Sequence, residues 1–332
     1  MNFVILLLII ASSIETKKPR IGVLSLTPTK LVQTYVQEGD YLSKINSMPR
    51  SEIPSIVDRA TYIDVNYINY IKLGGMEPVP LLLDDSEEET LAQLETLNGV
   101  LLTGGAERMY STMEFQSDTA THYQRRVRFL LEQAKRINDS GRYFILYAIC
   151  LGYESLLSAE NDNKNMLRIV DHQVKAYKSN TLIKGAKDTK FGRYLKKHLY
   201  LLEKPINYFY HKYGVLLEDF YQNEKLTDKM RPFSYIPLDN GFNVLTGVEY
   251  KDYPIYLVLF HPEKIKHVEN FSLEVKRIYL KRQLARFIKN QIRKAGTTLF
   301  DGSRKLPVLR LKFSKSYGSL DFYTKRDIIP IV

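Results

Sequence analysis

The stretch YFILYAICLGYESLL, residues 143–157, decides the fold. Its first seven residues are apolar or aromatic, which is typical of a buried strand, and a helical pattern begins soon after them. Cys150, the only cysteine among 332 residues, stands at this junction. A single cysteine can be buried and inert, paired between chains, or reactive. At a helix N-terminus the backbone N–H groups and the helix dipole favour a thiolate, so the position indicates a nucleophile.

Outward from this stretch, strand and helix patterns alternate along the chain. Short apolar runs predict strands at residues 21–26, 78–83, 100–105 and 143–149. Helical spacing, with caps and glycine stops, predicts helices at residues 57–73, 85–99 and 121–137. This order predicts an α/β fold of three layers, with a mostly parallel central sheet flanked by helices. Functional groups of such a sheet gather at the carboxyl ends of its strands, where Gly104, Gly105 and Cys150 fall.

The second half of the chain supplies another strand end. Residues 161–196 are polar and rich in Lys, which indicates an excursion or flap. Strand patterns then cover residues 206–215, 241–250 and 253–260. The last of these ends at His261-Pro262-Glu263, and an amphipathic helix follows at residues 272–294.

Residues that could serve a nucleophilic cysteine follow these strand ends. Such a cysteine needs a base and hydrogen-bond donors for the developing oxyanion. Because residues i and i+2 of an extended chain face the same side, Glu263 can orient the imidazole of His261. The Gly104-Gly105 pair lets the backbone approach closely and offer amide donors. Each piece alone is more often ordinary loop chemistry, but their joint placement predicts a Cys150-His261-Glu263 triad.

Six segments spread over residues 19–294 carry a resemblance to a known family: PRIGVLS, YINYIKLGGMEPVPLLLD, LNGVLLTGGAE, YFILYAICLGYESL, YHKYGV and YPIYLVLFHPEK. They resemble the γ-glutamyl hydrolases, which have a class I glutamine-amidotransferase-like, flavodoxin-like fold and trim polyglutamate from folates. The resemblance implies a cysteine hydrolase that cleaves γ-glutamyl bonds of (folyl)poly-γ-glutamates, without metal or organic cofactor. Glutaminase relatives place Gln four residues after the nucleophile. Glu154 stands there in C-L-G-Y-E, which favours the hydrolase branch.

The resemblance also implies roles for individual residues. Cys150 would attack the γ-amide carbonyl and form an acyl-thioester, His261 would act as base and then as acid, and Glu263 would orient His261. The oxyanion and the substrate would be bound at Gly104, Gly105, Leu151, Glu154 and His211. For His211, a strand-edge histidine without a role in binding is the alternative.

Two departures from the family pattern motivate an alternative function. Ala148 stands where the family has Gly two residues before the nucleophile, and Leu259 stands where it has Gln. The alternative is a catalytically weakened member that acts as a binding or structural component through its basic C-terminal region.

The positive charge of the chain is concentrated at its C-terminal end. The formal net charge is +11, of which residues 264–332 carry +12 and residues 1–263 carry −1. A basic region of this kind can bind an acidic partner or a membrane surface, although a solvated helix face is the plainer interpretation. Within residues 296–332, the stretch PVLRLKFSKSYGSL at 307–320 alternates apolar with basic residues and could add a strand or lie on another surface. Nucleic acid is not expected as a partner, because no recognition module is present.

The N-terminal residues have the pattern of a secretory leader. An apolar run at residues 3–11 is too short to span a bilayer, and small residues follow it. We therefore predict a signal peptide at residues 1–16, a hydrolase-like domain at 17–295 and a basic extension at 296–332. This predicts a secreted, extracellular, lysosomal or vacuolar protein with a poly-γ-glutamyl small-molecule substrate. A homodimer is left open.

Overall fold

A computed structural model describes residues 18–38, 41–43, 50–107, 109, 120–162, 166–264, 269–295, 308–313 and 319–323. The predicted signal peptide lies outside these residues. Within the described ranges, no helix is long and apolar enough to cross a membrane.

An eight-stranded sheet forms the centre of the molecule. Its spatial order is β4 (Glu77–Leu81), β1 (Arg20–Leu24), β5 (Gly99–Leu102), β6 (Ile145–Ile149), β12 (Ile255–Val258), β11 (Asn243–Tyr250), β10 (Met230–Pro237) and β8 (Thr181–Leu182). The first five strands are parallel, and the last three are added antiparallel. Strands β1, β5, β6 and β12 are buried at every position, so both faces of the sheet are covered. The predicted mostly parallel sheet is confirmed.

Helices cover the two faces of this sheet. In chain order they are α1 (Lys30–Gln37), α2 (Ile53–Val57), α3 (Val65–Leu73), α4 (Glu87–Glu95), α5 (His122–Asp139), α6 (Leu151–Glu160), α7 (Lys190–Leu195), α8 (Leu217–Tyr221), α9 (Glu224–Lys229) and α10 (Phe271–Lys294). Helices α5 and α6 pack together, and α3 packs against α10. A Cβ at Gly74 would lie 2.6 Å from the carbonyl oxygen of Ala285, so only glycine lets α3 end this close to α10. The three-layer prediction is confirmed.

A second, antiparallel sheet lies beside the first and contains part of the basic extension. Its order is β2 (Tyr41–Ser43), β13 (Val308–Phe313), β14 (Ser319–Tyr323) and β3 (Thr61–Asp64). The single helix predicted over residues 57–73 is wrong in its first half, because residues 61–64 form β3. The apolar spacing there fits either structure, and pairing with β14, far along the chain, decides for a strand. The Asp64 side chain then caps α3 by accepting from the N–H of Asn66.

A third pairing joins β7 (Leu167–Lys178) to β9 (Asn207–Val215). All of β7 lies in the segment 161–196 that was predicted as a polar excursion, where a strand of 12 residues was not expected. Its polar sequence lacks the apolar alternation of a half-buried strand, and pairing with β9 supplies its backbone hydrogen bonds instead. Strand β9 passes beside the carboxyl ends of β6 and β12, where the predicted site residues lie.

Candidate active site

Cys150 occupies the tight turn between β6 and α6. Its backbone has φ 52° and ψ −110°, a conformation that residues with a side chain rarely adopt. The Cys150 N–H donates to the carbonyl oxygen of Val258 on β12 over 3.0 Å, which ties the turn to the neighbouring strand. The residue is 5% exposed, and Sγ lies 3.6 Å from the carbonyl oxygen of Tyr210 on β9. A strained strand-to-helix turn of this type presents a nucleophile.

His261 and Glu263 follow β12, the strand next to β6. His261 Nδ1 lies 2.6 Å from Glu263 Oε1, and both side chains are buried. The backbone N–H of His261 donates to the carbonyl oxygen of Tyr208 over 2.7 Å. Strand β9 therefore also holds residues 261–264, the segment after β12 that is called the corner below. His261 Nε2 is buried and has no hydrogen-bond partner among the described residues. The Nδ1 contact with Glu263 therefore leaves Nε2 to exchange a proton.

Gly104 lies beside both Cys150 and His261. A Cβ at this position would be 3.0 Å from Cys150 Cβ and 2.9 Å from His261 Cε1, so any side chain would displace one of them. The ends of β5, β6 and β12 thus meet at one point, as predicted from the sequence. The Gly104 N–H donates to the hydroxyl oxygen of Tyr67 over 2.8 Å, so this amide is already engaged.

Gly105 and Leu151 lie next to each other at the same point. A Cβ at Gly105 would be 3.6 Å from Leu151 Cδ2 and 2.2 Å from Leu26 Cδ1, so the loop passes directly over the start of α6. Leu151 is the first residue of α6, and N–H groups of a first helical turn have no intrahelical acceptor. The structure thus brings Gly105 and Leu151 together next to Cys150.

The His261–Glu263 pair is held in its charged form. Burial opposes the charge on the imidazole, but its interactions with Glu263 and Cys150 outweigh this effect and raise the pKa of His261 to about 10. Burial likewise opposes the charge on Glu263, and the charge and hydrogen bond of His261 lower the pKa of that carboxyl overall. The arrangement favours an imidazolium that is oriented by a carboxylate.

Glu154 and His211 are buried in the same region but are held neutral. Burial raises the pKa of Glu154 to about 8, although the charge of His261 opposes this. Burial also lowers the pKa of His211 to about 4. His211 Nδ1 lies 2.9 Å from the carbonyl oxygen of Tyr213, and this acceptor fixes the Nδ1–H tautomer. The buried His211 Nε2 then remains an acceptor without a partner among the described residues.

The two departures from the family pattern lie inside the sheet. Ala148 is fully buried on β6 between Leu102 and Leu257, and the turn at Cys150 forms with this residue in place. Leu259 is fully buried, and its N–H donates to the carbonyl oxygen of Thr246 over 2.9 Å. Neither residue prevents the meeting of the three strand ends.

Sequence patterns missed the residues that hold the site from outside. Tyr67 on α3 binds the Gly104 amide, and Lys264 Nζ lies 2.6 Å from Asp64 Oδ2 at the end of β3. Lys281 on α10 donates from Nζ to the carbonyl oxygen of Glu263 over 2.6 Å. The only sequence signal was that Tyr67 and Lys264 fall in segments that carry the family resemblance.

The comparison with protein families agrees with this geometry. The model of the family Peptidase C26 matches residues 45–263, about two thirds of the chain. The chain belongs to the Peptidase C26 family. The resemblance to the γ-glutamyl hydrolases is confirmed by curated relatives of that name. The matched range contains all the predicted site residues.

Two of these relatives show the extent of the similarity. Gamma-glutamyl hydrolase 1 of Arabidopsis thaliana is 28% identical over 213 residues, which cover 62% of this chain and 56% of that protein. Gamma-glutamyl hydrolase of Rattus norvegicus is 30% identical over 207 residues, which cover 61% of each chain. The chain thus spans less than two thirds of the length of either relative.

One solved structure shows a distant likeness to this Peptidase C26 member. The match to a putative GMP synthase protein from Thermoplasma acidophilum covers 83% of this chain and 98% of that one, with 13% identity and a TM-score of 0.41. At that score the likeness adds nothing to the family assignment.

Proposed function

We propose that the protein is a cysteine-type γ-glutamyl hydrolase in which Cys150, His261 and Glu263 are the catalytic residues. The observation that carries this proposal is the strained turn at Cys150, which lies beside an imidazole paired with a buried carboxylate, with Gly104 next to both residues. Membership of the Peptidase C26 family supports it. An inert structural cysteine would need neither the unusual backbone nor the charged pair.

The proposed reaction begins from a thiolate–imidazolium pair. Cys150 Sγ attacks the γ-amide carbonyl carbon, and the new S–C bond pushes the carbonyl electrons onto oxygen. The N–H groups of Gly105 and Leu151 stabilise this oxyanion. His261 Nε2 gives its proton to the leaving amine as the C–N bond breaks. Water then attacks the thioester carbonyl carbon and gives a proton to His261. As the C–S bond breaks, the γ-carboxylic acid and the Cys150 thiolate are released, which restores the starting pair.

Glu154 and His211 are proposed to bind the glutamyl part of the substrate. Both are buried in the region of the triad, and the charge of His261 acts on the pKa of each. The His211 Nε2 acceptor suits an N–H donor of the substrate, and Glu154 can donate as an acid or accept after losing its proton. A (folyl)poly-γ-glutamate is the proposed substrate class. Secretion or delivery to a lysosome or vacuole is proposed only from the leader pattern at residues 1–16.

The direct test is hydrolysis of a γ-linked oligoglutamate by the purified protein. We expect glutamate release that is lost in Cys150→Ser, with an α-linked peptide of the same composition as the control substrate. Cys150 should also react with iodoacetamide near neutral pH, and His261→Ala should slow this alkylation. Absence of turnover on the γ-linked substrate, together with an unreactive thiol, would refute the proposal.

A second candidate function is binding of an anionic partner through α10, as an alternative or an addition to catalysis. One face of this helix is solvent-exposed along its length, and its first turns are apolar while its later turns are basic. The exposed residues are Phe271 (82%), Val275 (50%) and Ile278 (44%), followed by Arg282, Arg286 and Arg293. Apolar residues beside a row of cations suit an anionic lipid surface.

Vesicle sedimentation tests this second candidate. Binding to vesicles that contain phosphatidylserine should exceed binding to phosphatidylcholine vesicles and should fall at high salt. Phe271→Ser should weaken binding while leaving hydrolysis unchanged. Equal binding to both vesicles would refute a role for the basic face.

A further inference from the structure

The corner that carries His261 and Glu263 is held from behind by α10. Lys281 Nζ donates to the backbone carbonyl oxygen of Glu263 over 2.6 Å, and Arg277 Nη1 donates to that of Lys264 over 3.2 Å. Residues 277 and 281 are four apart and share one helix face. Two consecutive carbonyl oxygens of the corner are therefore bound by two cations from adjacent turns.

Arg277 is itself fixed in place by an acidic neighbour. Glu274 accepts from Arg277 Nε over 2.7 Å and from Nη2 over 2.5 Å, and this hydrogen bonding raises the pKa of the guanidinium. Lys264 extends from the corner in the other direction, to Asp64 at the end of β3. The corner is thus joined to both α10 and the second sheet.

The Glu263 carboxylate depends on its backbone for its orientation. Its Oε1 is bonded to His261 Nδ1, while Oε2 is buried and has no hydrogen-bond partner among the described residues. The other hydrogen bond that acts on this carboxyl comes from the Glu263 backbone itself, so the position of the carboxylate follows that backbone. The Lys281 contact is made at the carbonyl of the same residue, so it restrains the point from which the side chain extends.

We propose that Lys281 is a positioning residue that, with Arg277, clamps the backbone at Glu263 and keeps its carboxylate aligned with His261. This inference rests on the hydrolase function proposed above. Protonated Lys281 makes a charge-assisted hydrogen bond, roughly twice as strong as a neutral one. The clamp therefore restrains the backbone at Glu263 more strongly while Lys281 is charged than when Lys281 is neutral.

Lys281 can lose its charge at mildly alkaline pH, unlike Arg277. Burial lowers the pKa of Lys281 to about 8; the nearby Glu263 and Asp64 oppose this shift, and Arg277 and Lys264 add to it. Besides Arg277, the ionisable groups around the small cavity that Lys281 lines, and those whose charges act on it, are His261, Glu263, Lys264, Asp64, Tyr177 and Tyr208. Lys281 thus loses its proton, and the clamp loses its charge-assisted hydrogen bond, within a pH range that can be tested.

Three variants test the clamp in the full chain. Lys281→Met removes the charge and the donor, and Lys281→Arg keeps a charge that does not titrate below about pH 12. Lys276→Met is the matched control, because Lys276 is another half-buried lysine of α10, with no hydrogen bond to the corner found among the described residues. The kcat and KM for a γ-linked glutamyl peptide are measured from about pH 5 to 10, alongside the rate of Cys150 alkylation by iodoacetamide.

We expect Lys281→Met to lower kcat at pH 7 by about 10- to 100-fold with KM changed by less than about threefold, since small misplacements of catalytic groups cost rate heavily. Lys281→Arg should keep kcat within about threefold of the wild type and remove part of its decline near pH 8. Glu154 titrates in the same range, so only the part of the decline that moves with Lys281→Arg belongs to the clamp.

Several outcomes would overturn the clamp. They are wild-type kcat in Lys281→Met, an unchanged pH profile in Lys281→Arg, or a loss in Lys276→Met equal to that in Lys281→Met. If the wild type does not hydrolyse the peptide, the hydrolase proposal fails on its own. The clamp is then still judged by alkylation, whose pH profile should shift in Lys281→Met and not in Lys276→Met.

Discussion

Two sets of buried ionisable side chains lie at the candidate site, and they differ in charge. The charged pair is His261 and Glu263, and the neutral set is Glu154 and His211. For all four groups burial is the largest influence on the pKa, and it always favours the neutral form. Only the pair joined across 2.6 Å resists it. Mutual contact, and not depth, decides which buried group keeps a charge.

The difference in charge suits the two sets to different roles. A charged pair can move a proton toward a leaving group, because one partner is already protonated and the other stabilises it. A neutral acid and a neutral imidazole can bind polar groups of a substrate without burying a net charge. Substitutions that exchange one state for the other can therefore test the division.

Breaking the charged pair should have the largest effect. In Glu263→Gln the amide cannot stabilise the imidazolium, so the pKa of His261 should fall from about 10 toward its ordinary value. We expect kcat to fall by about 10²- to 10⁴-fold, the usual contribution of acid–base catalysis. Turnover of a γ-linked peptide and NMR titration of His261 measure the two effects. A His261 pKa that stays near 10 in the variant would contradict the assignment.

Replacing Glu154, the neutral acid, should alter the pH dependence of folding stability more than it alters kcat. Between its ordinary pKa and about 8, Glu154 keeps a proton in the folded protein that the unfolded chain releases, so wild-type stability falls as pH rises through this window. Glu154→Gln removes this dependence. As pH rises from about 4.5 to 8, the unfolding free energy of the variant should increase relative to that of the wild type by on the order of 5 kcal/mol.

Urea unfolding at several pH values measures this difference, and kcat at about pH 6 is the accompanying control. Because Glu154 is protonated at that pH, the amide is a near match, and we expect kcat within about tenfold of the wild type. A stability difference that does not vary with pH would show that Glu154 is already ionised in the folded protein.

Replacing His211, the neutral histidine, should have the smallest effect. The wild-type stability that depends on His211 changes with pH in the opposite direction to that of Glu154. Between about pH 4 and its ordinary pKa, His211 is neutral in the folded protein while the unfolded chain binds a proton, so wild-type stability rises with pH through this window. The His211→Gln variant should be relatively more stable at about pH 4.5 than at pH 7, by on the order of 3 kcal/mol. The same unfolding series measures it. A slope of the other sign would mean that His211 is charged when folded.

The strand ends could be predicted from sequence because each is a local signal. An apolar run that stops at Cys150, at Gly104 or at His261 carries its own boundary, and the parallel order of the sheet brings such ends together. The i, i+2 spacing of His261 and Glu263 likewise predicted their contact. These features need no knowledge of distant parts of the chain.

The supports of the site could not be predicted in this way. Residues 61–64 have apolar spacing that suits a helix or a strand, and their partner β14 lies more than 250 residues away. The sequence of α10 does not distinguish Lys281 from other lysines of an amphipathic helix. Its contact with Glu263 follows only from the packing of α10 against the corner. Such contacts depend on tertiary packing, which local patterns do not encode.

The pairing of β3 with β14 also constrains the order in which the protein can fold. Leu320 lies opposite Asp64, so a ribosome must add more than 250 residues after β3 before its partner strand exists. Contacts of such long sequence separation form slowly. Until then the edge of β3 that pairs with β14 is unpaired. Asp64, the last residue of β3, is the residue that holds Lys264 beside the triad. A nascent chain can therefore assemble its central sheet well before this support of the triad is in place.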